Sequence, residues 1–317
     1  MRTSPAPERA RRRHVLDLDD FSSSEINDIL ETASSMKEVL GRQIKQVPTL
    51  RGHTVINMFF EDSTRTRISF ELAGKALSAN VINMTARGSS VEKGESLIDT
   101  VHTLQALGAD VLVIRHSEAG APYLAAQHFK GSVVNAGDGR HAHPTQALLD
   151  LFTMREHFGH IENLNIVIVG DILHSRVVRS NLWGLSTMGA NIRLCAPQTL
   201  LGSPAHWKAT WPKLSISTDL DECLPGADVI MALRLQKERQ DAGLLPSLRE
   251  YTRCFGVTPE RVRLASPDCL IMHPGPMNIG VEILPEVATS AQSVIEEQVT
   301  NGVAVRMALL YLLAGEN

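Results

Sequence analysis

The segment FFEDSTRTRISFELAGKAL, residues 59–77, concentrates cationic and hydroxyl side chains where a strand pattern changes into a helical one. A helix N-terminus presents unpaired N–H groups and the positive end of the helix dipole, so it favours phosphate and carboxylate groups. An arginine is unfavourable there unless an anion neutralises it, and its guanidinium can bind two anion oxygens at once. We therefore predict an anion-binding site made by Ser63, Thr64, Arg65 and Thr66.

A simpler interpretation of this segment is that Ser63 caps the helix and a solvated charged turn follows it. The spacing also allows an ion pair between Arg67 and Glu71, which are four positions apart. A capped, solvated turn does not explain the arginine in the first turn of the helix, so we favour the anion site.

Arginine and histidine side chains also follow other predicted strands, although the whole chain has a net charge of −4. The residues at these strand ends are Arg115, His116, Asp138, His141, His143, Asp171, His174, Ser175, Arg176, Arg234, Gln236 and His273 to Pro276. In open α/β sheets, ligands bind beyond the carboxyl ends of the strands. We therefore expect a cationic rim around a small substrate that carries more than one anionic group.

Three of these regions allow a more specific interpretation. Arg176 begins a predicted helix and repeats the unusual cation at a helix N-terminus. His143 precedes Pro144 at another helix start, with Gln146 one turn later, and this pair can hold a carbonyl oxygen and an NH2 group. The segment HPGP, 273–276, restricts a turn whose carbonyl groups can accept from the same NH2 group, with a purely structural turn as the alternative.

Several common sites are absent from the sequence. The chain has no G-x-x-x-x-G-K-[ST] and no G-x-G-x-x-G segment, which argues against a P-loop NTPase and a nicotinamide dehydrogenase. His141 and His143 form an H-x-H pair without a third ligand at a motif spacing. The four cysteines include no C-x-x-C pair. We therefore predict neither a metal site nor a disulfide framework.

The composition limits the class of protein. With 317 residues, 43% of them hydrophobic and 21% charged, the chain suits two globular domains. A pI near 6.3 gives no reason to expect nucleic acid or an acidic membrane as a partner. No apolar stretch reaches 18 residues, and unpaired cysteines suit the cytoplasm. The Arg-rich residues 1–13 fit a disordered tail better than a transit peptide.

Apolar strand-like runs alternate with helical segments along the chain. The predicted strands are 54–60, 80–84, 109–116, 131–137, 163–171, 191–197, 227–233 and 268–276. The predicted helices are 64–78, 96–107, 119–129, 143–159, 175–188 and a long amphipathic helix at the C-terminus. Continuous apolar strands separated by helices are typical of parallel sheets that are covered on both faces. The predicted fold class is α/β, with two tandem doubly wound parallel-sheet domains.

We place the first domain at 14–150 and the second at 151–291, joined by the helix at 143–159. The C-terminal helix, within 292–317, has no strand of its own. We expect it to pack back on the first domain.

The segments FFEDSTRTRISFE, SSVEKGES, HPTQALLDL, VGDILHSRVVRSN, RLQKER and MHPGP together resemble the aspartate carbamoyltransferases of the carbamoyltransferase family. The resemblance runs from about residue 14 to the C-terminus. S-T-R-T-R with H-P-T-Q is typical of carbamoyltransferases in general, whereas the lysine-bearing loop and H-P-G-P, in place of the H-C-L-P of ornithine enzymes, favour aspartate. The resemblance implies carbamoyl transfer from carbamoyl phosphate to L-aspartate, early in de novo pyrimidine biosynthesis, without a metal or organic cofactor.

The resemblance also implies a role for each matching residue. The residues expected to bind carbamoyl phosphate are Ser63, Thr64, Arg65, Thr66, Arg115, His143, Gln146, Pro274, Gly275 and Pro276. Those expected to take part in catalysis are Arg65, Thr66, Arg115 and His143. Those expected to bind aspartate are Lys93, Arg176, Arg234 and Gln236. Ser90 and Lys93 would reach in from a neighbouring subunit, which implies a homotrimer with shared active sites.

Some properties stay open at this point. Relatives occur as bare trimers, with regulatory chains, or in complexes with a dihydroorotase. Ile279 stands where relatives with H-P-G-P often have arginine, which puts a contact at the edge of the site in doubt but not the central residues. The alternatives are an ornithine-type carbamoyltransferase and a non-catalytic homologue that acts as a scaffold. The arginines at the strand ends argue against both.

Overall fold

A computed structural model describes residues 12–85, 94–235 and 247–314, and strands alternate with helices through these ranges. The strands are β1 (Thr54–Phe59), β2 (Asn80–Thr85), β3 (Val111–His116), β4 (Ser132–Asp138), β5 (Asn165–Val169), β6 (Asn191–Cys195), β7 (Ser215–Ser217), β8 (Val229–Ala232) and β9 (Leu270–Met272). The longer helices are α1 (Ser23–Leu40), α2 (Thr64–Ala76), α3 (Leu97–Ala106), α4 (Ala121–His128), α5 (Pro144–Phe158), α6 (Arg176–Thr187), α8 (Pro204–Thr210), α10 (Leu248–Phe255) and α13 (Ile295–Ala314). The four-residue helices are α7 (Gln198–Leu201), α9 (Leu220–Cys223), α11 (Pro259–Val262) and α12 (Pro285–Ala288).

The strands form two parallel sheets, as predicted. The first sheet has the order β2-β1-β3-β4, and the second has the order β7-β6-β5-β8-β9. The strand order reverses direction between β1 and β3 in the first sheet and between β5 and β8 in the second. Such points leave a crevice at the carboxyl ends of the strands, and ligands bind there in doubly wound folds.

Burial explains why the strand segments read as continuous apolar runs. All seven residues of β4 and all four of β8 are buried, because helices cover both faces of each sheet. The edge strand β2 differs, since none of its six residues is buried. Among the described strands β2 pairs only with β1, so this sheet ends there in an open edge.

The C-terminal helix packs back on the N-terminal half, which confirms the prediction. Helix α13 contacts α1, α2 and α5. Helix α1 is not among the predicted helices, although its signals are present in the sequence. Ser22 and Glu25 form a capping box, and apolar residues such as Ile26 and Leu30 recur at helical spacing. Within the described ranges, no helix combines the length and the apolar character that a membrane span requires.

The helix α5 runs through the expected domain boundary between residues 150 and 151, so both halves of the molecule share it. At the other end of the chain, the expected tail of residues 1–13 is too long. Arg12 forms ion pairs with Asp20 and Glu25, and Arg13 donates to the carbonyl of Phe129. Residues 1–11 lie outside the described part.

Candidate active site

A cavity of about 580 Å³ lies where the carboxyl ends of the two sheets face each other. The predicted site residues that line it are Ser63, Thr64, Arg65, Thr66, Arg115, His143, Gln146, Arg176, Arg234, Pro274, Gly275 and Pro276. Five arginines line the cavity, against two carboxylates. The expected cationic rim therefore exists, and residues from both sheets contribute to it.

The start of α2 has the features of an anion site. Ser63 has an extended backbone but its side chain does not cap the helix, and the first turn contains no acidic residue. Capping by Ser63 therefore does not account for this segment. Arg65 and Arg234 line the same cavity, and partial burial together with the charge of Arg234 lowers the pKa of Arg65. A bound anion would relieve that repulsion.

Glu61 joins two arginines that come from different sheets. Its carboxylate accepts from Arg115 Nη2 at 2.9 Å, and from Arg176 Nη1 at 3.0 Å and Nη2 at 2.7 Å. Arg176 is also only 4% exposed, and it donates to the carbonyl of Gly139 at 3.1 Å. The first residue of α6 is therefore held against the loop that precedes α2.

His143 lies at the start of α5, and one nitrogen of its ring has no hydrogen-bond partner in the described part of the chain. Its backbone N–H donates to Ser180 Oγ at 2.9 Å, while its Nδ1 is buried and has no hydrogen-bond partner among the described residues. Burial, followed by the charges of Arg115, Arg176 and Arg306, lowers the pKa of His143 well below its ordinary value. The imidazole is therefore neutral at pH 7 and can donate one hydrogen bond to a ligand.

The turn after β9 closes the opposite side of the cavity. His273 Nδ1 accepts from the backbone N–H of Gly275 at 2.7 Å, and its Nε2 lies 3.2 Å from Glu282 Oε1. Gly275 has a φ of +61°, and a Cβ at this position would overlap the guanidinium of Arg65. The left-handed backbone favours glycine here, and any larger residue would displace the guanidinium of Arg65 from its present position.

Polar and charged residues that line the cavity but were not predicted include Glu61, Ser69, Gln298 and Arg306. Arg306 is 4% exposed and donates to Ser69 Oγ at 2.9 Å. It lies within the apolar run NGVAVRMALLYLL of the C-terminal helix, and a cation in such a run is a recognisable signal for a buried charge. Glu61 gave a weaker signal, since an acid just before a helix is common.

Other residues at the strand ends turn away from the cavity. His141 pairs with Asp138 at 3.1 Å and His174 pairs with Asp171 at 2.7 Å, so the two histidines of the H-x-H pair face different surroundings. Glu71 pairs with Lys75 among the described residues, and the expected pair with Arg67 does not form. The described ranges contain no cluster of His, Cys, Asp or Glu that could hold a metal ion.

Three predicted residues, Ser90, Lys93 and Gln236, lie outside the described residues. The described chain stops at Thr85, at the end of β2, resumes at Gly94, and stops again at Leu235, one residue after Arg234. Their expected roles therefore stay predictions.

The two doubly wound domains and the arginine-rich cavity between them define the class of protein as a two-domain α/β protein with a cationic cavity. Residues 13–156 match the family described as aspartate/ornithine carbamoyltransferase, carbamoyl-P binding domain. Residues 162–313 match its aspartate/ornithine-binding domain. The chain therefore belongs to the aspartate/ornithine carbamoyltransferase family, which confirms the resemblance.

Curated relatives point to the aspartate branch of this family. The aspartate carbamoyltransferase catalytic subunit of Roseiflexus sp. (strain RS-1) is 78% identical over 308 residues, which cover 97% of each chain. The corresponding protein of Chloroflexus aggregans is 72% identical and covers 96% of this chain and 99% of its own.

Solved structures share the fold across both branches. Aspartate transcarbamoylase from Trypanosoma cruzi, in complex with carbamoyl aspartate and phosphate, has a TM-score of 0.85 at 32% identity, covering 96% of each chain. Ornithine carbamoyltransferase from Pyrococcus furiosus has a TM-score of 0.86 at 28% identity, covering 96% of this chain and 98% of its own. The fold alone therefore does not separate an aspartate acceptor from an ornithine acceptor.

Proposed function

We propose that this protein transfers the carbamoyl group of carbamoyl phosphate to the amino group of L-aspartate, giving N-carbamoyl-L-aspartate and phosphate. This reaction is an early step of de novo pyrimidine biosynthesis. The observation that carries the proposal is the excess of arginine in one cavity between two domains, which suits one phosphate and two carboxylates. The high identity to aspartate carbamoyltransferase catalytic subunits supports aspartate as the acceptor.

The first domain, residues 14–150 with the C-terminal helix, would bind carbamoyl phosphate. The start of α2 would hold the phosphate through backbone N–H groups, hydroxyls and a guanidinium, contributed by Ser63, Thr64, Arg65 and Thr66. Arg115, His143 and Thr66 would donate to the carbamoyl oxygen. Gln146 and the carbonyl groups of the turn at Pro274, Gly275 and Pro276 would accept from its NH2 group.

The second domain, residues 151–291, would bind aspartate. Arg176 and Arg234 line the cavity and can each pair with a carboxylate of the substrate. Gln236 from the same domain and Lys93 from a neighbouring subunit would complete this part of the site.

The chemistry requires orientation and charge stabilisation more than a reactive side chain. The amine of aspartate attacks the carbamoyl carbon, and negative charge develops on the carbamoyl oxygen. Removing one well-placed donor to such an oxygen costs about 3 kcal/mol in the barrier. The C–O bond to phosphate then breaks, and the leaving phosphate takes the proton of the amine. Holding both substrates in one cavity supplies much of the remaining rate enhancement.

A homotrimer with shared active sites is part of this proposal. The exposed apolar residues Ile68 and Leu72 lie on α2, and Ile82 lies on the open edge strand β2, from which the chain leads to Ser90 and Lys93. Such a surface suits a second copy of the chain. Mixing Arg65→Ala subunits with Lys93→Ala subunits should restore a fraction of the activity that each variant lacks. Two variants that stay inactive when mixed would argue against shared sites.

We also propose a cytoplasmic location for the protein, and association with a regulatory chain or a dihydroorotase. Co-purification from the source cell would test the partner proteins directly. The catalytic chain alone should be active in the assay below if neither partner is required.

The proposed reaction is tested by a colorimetric ureido assay on the purified protein with carbamoyl phosphate and either L-aspartate or L-ornithine. We expect product when the amino acid is L-aspartate and none when it is L-ornithine. Product with ornithine alone would keep the phosphate site and overturn the roles of Lys93, Arg234 and Gln236. No product with either amino acid would leave two options, a missing partner chain or the non-catalytic scaffold.

A further inference from the structure

A buried carboxylate stands directly behind the part of the cavity that Gln146 lines. Asp150 lies one turn further along α5 and is 0% exposed. Its Oδ1 accepts from Gln146 Nε2 at 2.9 Å and from Gln298 Nε2 at 2.8 Å, and its Oδ2 accepts from Asn181 Nδ2 at 2.9 Å. One carboxylate therefore receives amide donors from three helices.

This arrangement decides which end of the Gln146 amide is available to a ligand. An ionised carboxylate only accepts hydrogen bonds, whereas a glutamine amide donates at one end and accepts at the other. Because Nε2 of Gln146 is held by Asp150, the amide oxygen is the polar atom that Gln146 offers to the cavity. Without Asp150, the amide could turn and present a donor instead.

The same carboxylate oxygen supports the opposite wall of the cavity. Gln298 donates to Asp150, and its Oε1 accepts from the backbone N–H of His273 at 2.9 Å. His273 in turn accepts from the backbone N–H of Gly275. Both ends of the Gln298 amide are assigned by chemistry, since a carboxylate can only accept and a backbone N–H can only donate.

We propose that Asp150 is a positioning residue that makes the acyl subsite selective for an NH2 group, by directing the Gln146 oxygen into the cavity and anchoring the turn at Gly275. This inference rests on the proposed function, because it places the acyl group of an acyl phosphate between Gln146 and that turn. The consequence is discrimination between carbamoyl phosphate and acetyl phosphate, which has a methyl group in place of NH2. A methyl group leaves the buried acceptors unpaired.

The test compares the dissociation constants of carbamoyl phosphate and acetyl phosphate by calorimetry, without aspartate. In Asp150→Leu, a side chain of similar size removes the acceptor. Carbamoyl phosphate should bind about tenfold more weakly, since one hydrogen bond is worth about a factor of ten. Acetyl phosphate should change by less than about twofold, because it makes no hydrogen bond that depends on the Gln146 oxygen. The selectivity ratio, which is the dissociation constant of acetyl phosphate divided by that of carbamoyl phosphate, should therefore fall about tenfold.

Two further variants separate orientation of the amide from support of the helices. Asp150→Asn retains an oxygen for both glutamines, but its NH2 group then faces the NH2 group of Asn181. The Asn181 amide can turn over so that Oδ1, which is buried without a partner among the described residues, accepts from the new NH2 group, at the cost of its bond to the carbonyl of Val177. We expect its selectivity ratio to stay within about threefold of the wild-type ratio. Asn181→Leu removes the partner of the other carboxylate oxygen and leaves the bond to Gln146. Any fall in affinity should therefore be equal for carbamoyl phosphate and acetyl phosphate.

Several outcomes would overturn the inference. In Asp150→Leu, an equal fall in the affinity for both ligands, which leaves the selectivity ratio unchanged, would do so. A fall of the selectivity ratio in Asp150→Asn as large as in Asp150→Leu, or any fall of this ratio in Asn181→Leu, would also do so. If Asp150→Leu does not fold, Asp150→Ala removes the same acceptor and should lower the ratio equally. Failure of the wild type to bind either acyl phosphate would remove the proposed function, and this inference with it, whereas the other outcomes remove the inference alone.

Discussion

Glu61 and Arg176 face each other across the gap between the two sheets and form a two-point ion pair. Arg176 Nη1 and Nη2 lie 3.0 Å and 2.7 Å from the two carboxylate oxygens of Glu61. The side chain of Arg176 is 5% exposed and that of Glu61 is 23% exposed. A second guanidinium, from Arg115, contacts the same carboxylate. Glu61 thus holds together two like charges, of which the proposed reaction uses Arg115 for the carbamoyl oxygen and Arg176 for aspartate.

Replacement of Glu61 by glutamine should weaken aspartate binding. The neutral amide no longer balances Arg115 and Arg176, so Arg176 loses its fixed position. Hydrogen bonds to charged groups are worth about 1.5–3 kcal/mol, so we expect the KM for aspartate to rise about tenfold to a hundredfold. Steady-state kinetics at saturating carbamoyl phosphate would measure this.

The control for that variant is Glu156→Gln, which removes an acid from the ion pair with Lys37 at 2.7 Å, outside the cavity. Such partly exposed pairs contribute about 0–1 kcal/mol, and the KM should not change. An unaltered KM in Glu61→Gln would show that Arg176 does not depend on Glu61.

Replacement of Arg65 by alanine should reduce turnover and carbamoyl phosphate binding while the protein stays folded. The loss of this donor to the phosphate should lower kcat/KM by about 10²–10³-fold. Arg67→Ala is the matched control, because Arg67 lies two positions along the same helix and does not line the cavity among the described residues. Kinetics would measure the effect and circular dichroism would measure folding. Unaltered kinetics in Arg65→Ala would remove the phosphate assignment.

Replacement of Gly275 by alanine should act on the site through Arg65. The added Cβ overlaps the guanidinium of Arg65, so we expect at least a tenfold rise in the KM for carbamoyl phosphate. The left-handed backbone should also cost about 1–2 kcal/mol of stability. Gly226→Ala separates the two effects, since Gly226 has a φ of +69° and open space around it. Only stability should change in that control, and a normal KM in Gly275→Ala would contradict the contact.

His143 should stay neutral across the range in which histidine ordinarily titrates. Burial and the charges of Arg115, Arg176 and Arg306 lower its pKa. NMR of histidine-labelled protein, with the signal assigned by its loss in His143→Ala, should show no titration between about pH 6 and 8. Arg306→Met should raise the pKa of His143. A wild-type signal that titrates near its ordinary value would contradict the buried, neutral imidazole.

Asp150 should make the stability of the protein depend on pH. Burial raises its pKa from 3.8 to about 6, although three amide donors oppose that change. The folded state therefore binds this proton more tightly than the unfolded state. The stabilising effect is complete below about pH 4 and is lost as the pH rises through about 6, where the ionised group costs about 3 kcal/mol.

The Asp150→Asn variant lacks that cost. The difference between its unfolding free energy in urea and the wild-type value should rise by up to about 3 kcal/mol in favour of the variant from pH 4 to pH 8. Asp17→Asn provides an independent case, because burial also raises the pKa of Asp17 to about 6. A difference that does not vary with pH would contradict the assignment to Asp150.

The local pattern of the chain was sufficient to predict the sheets and much of the cavity. Apolar runs identify strands such as β4 and β8 because both faces of a parallel sheet are buried, and the residues after such strands must meet at one edge. Arg65 and Arg176 were recognisable because a cation at a helix start conflicts with the helix dipole. The short strand β7 was missed, since three residues carry little periodicity.

The sequence by itself determined which residue types stand at the strand ends and therefore the cationic character of the site. Only the tertiary structure decided how those charges are balanced. Glu61 contacts Arg176 although 115 residues separate them in the chain, and Asp150 contacts Gln298 across a separation of 148 residues. Neither pair follows from local periodicity, because such contacts depend on how two domains and a returning C-terminal helix pack together. The polarity of the Gln146 amide was likewise set by Asp150 through burial, which removes water as the alternative partner.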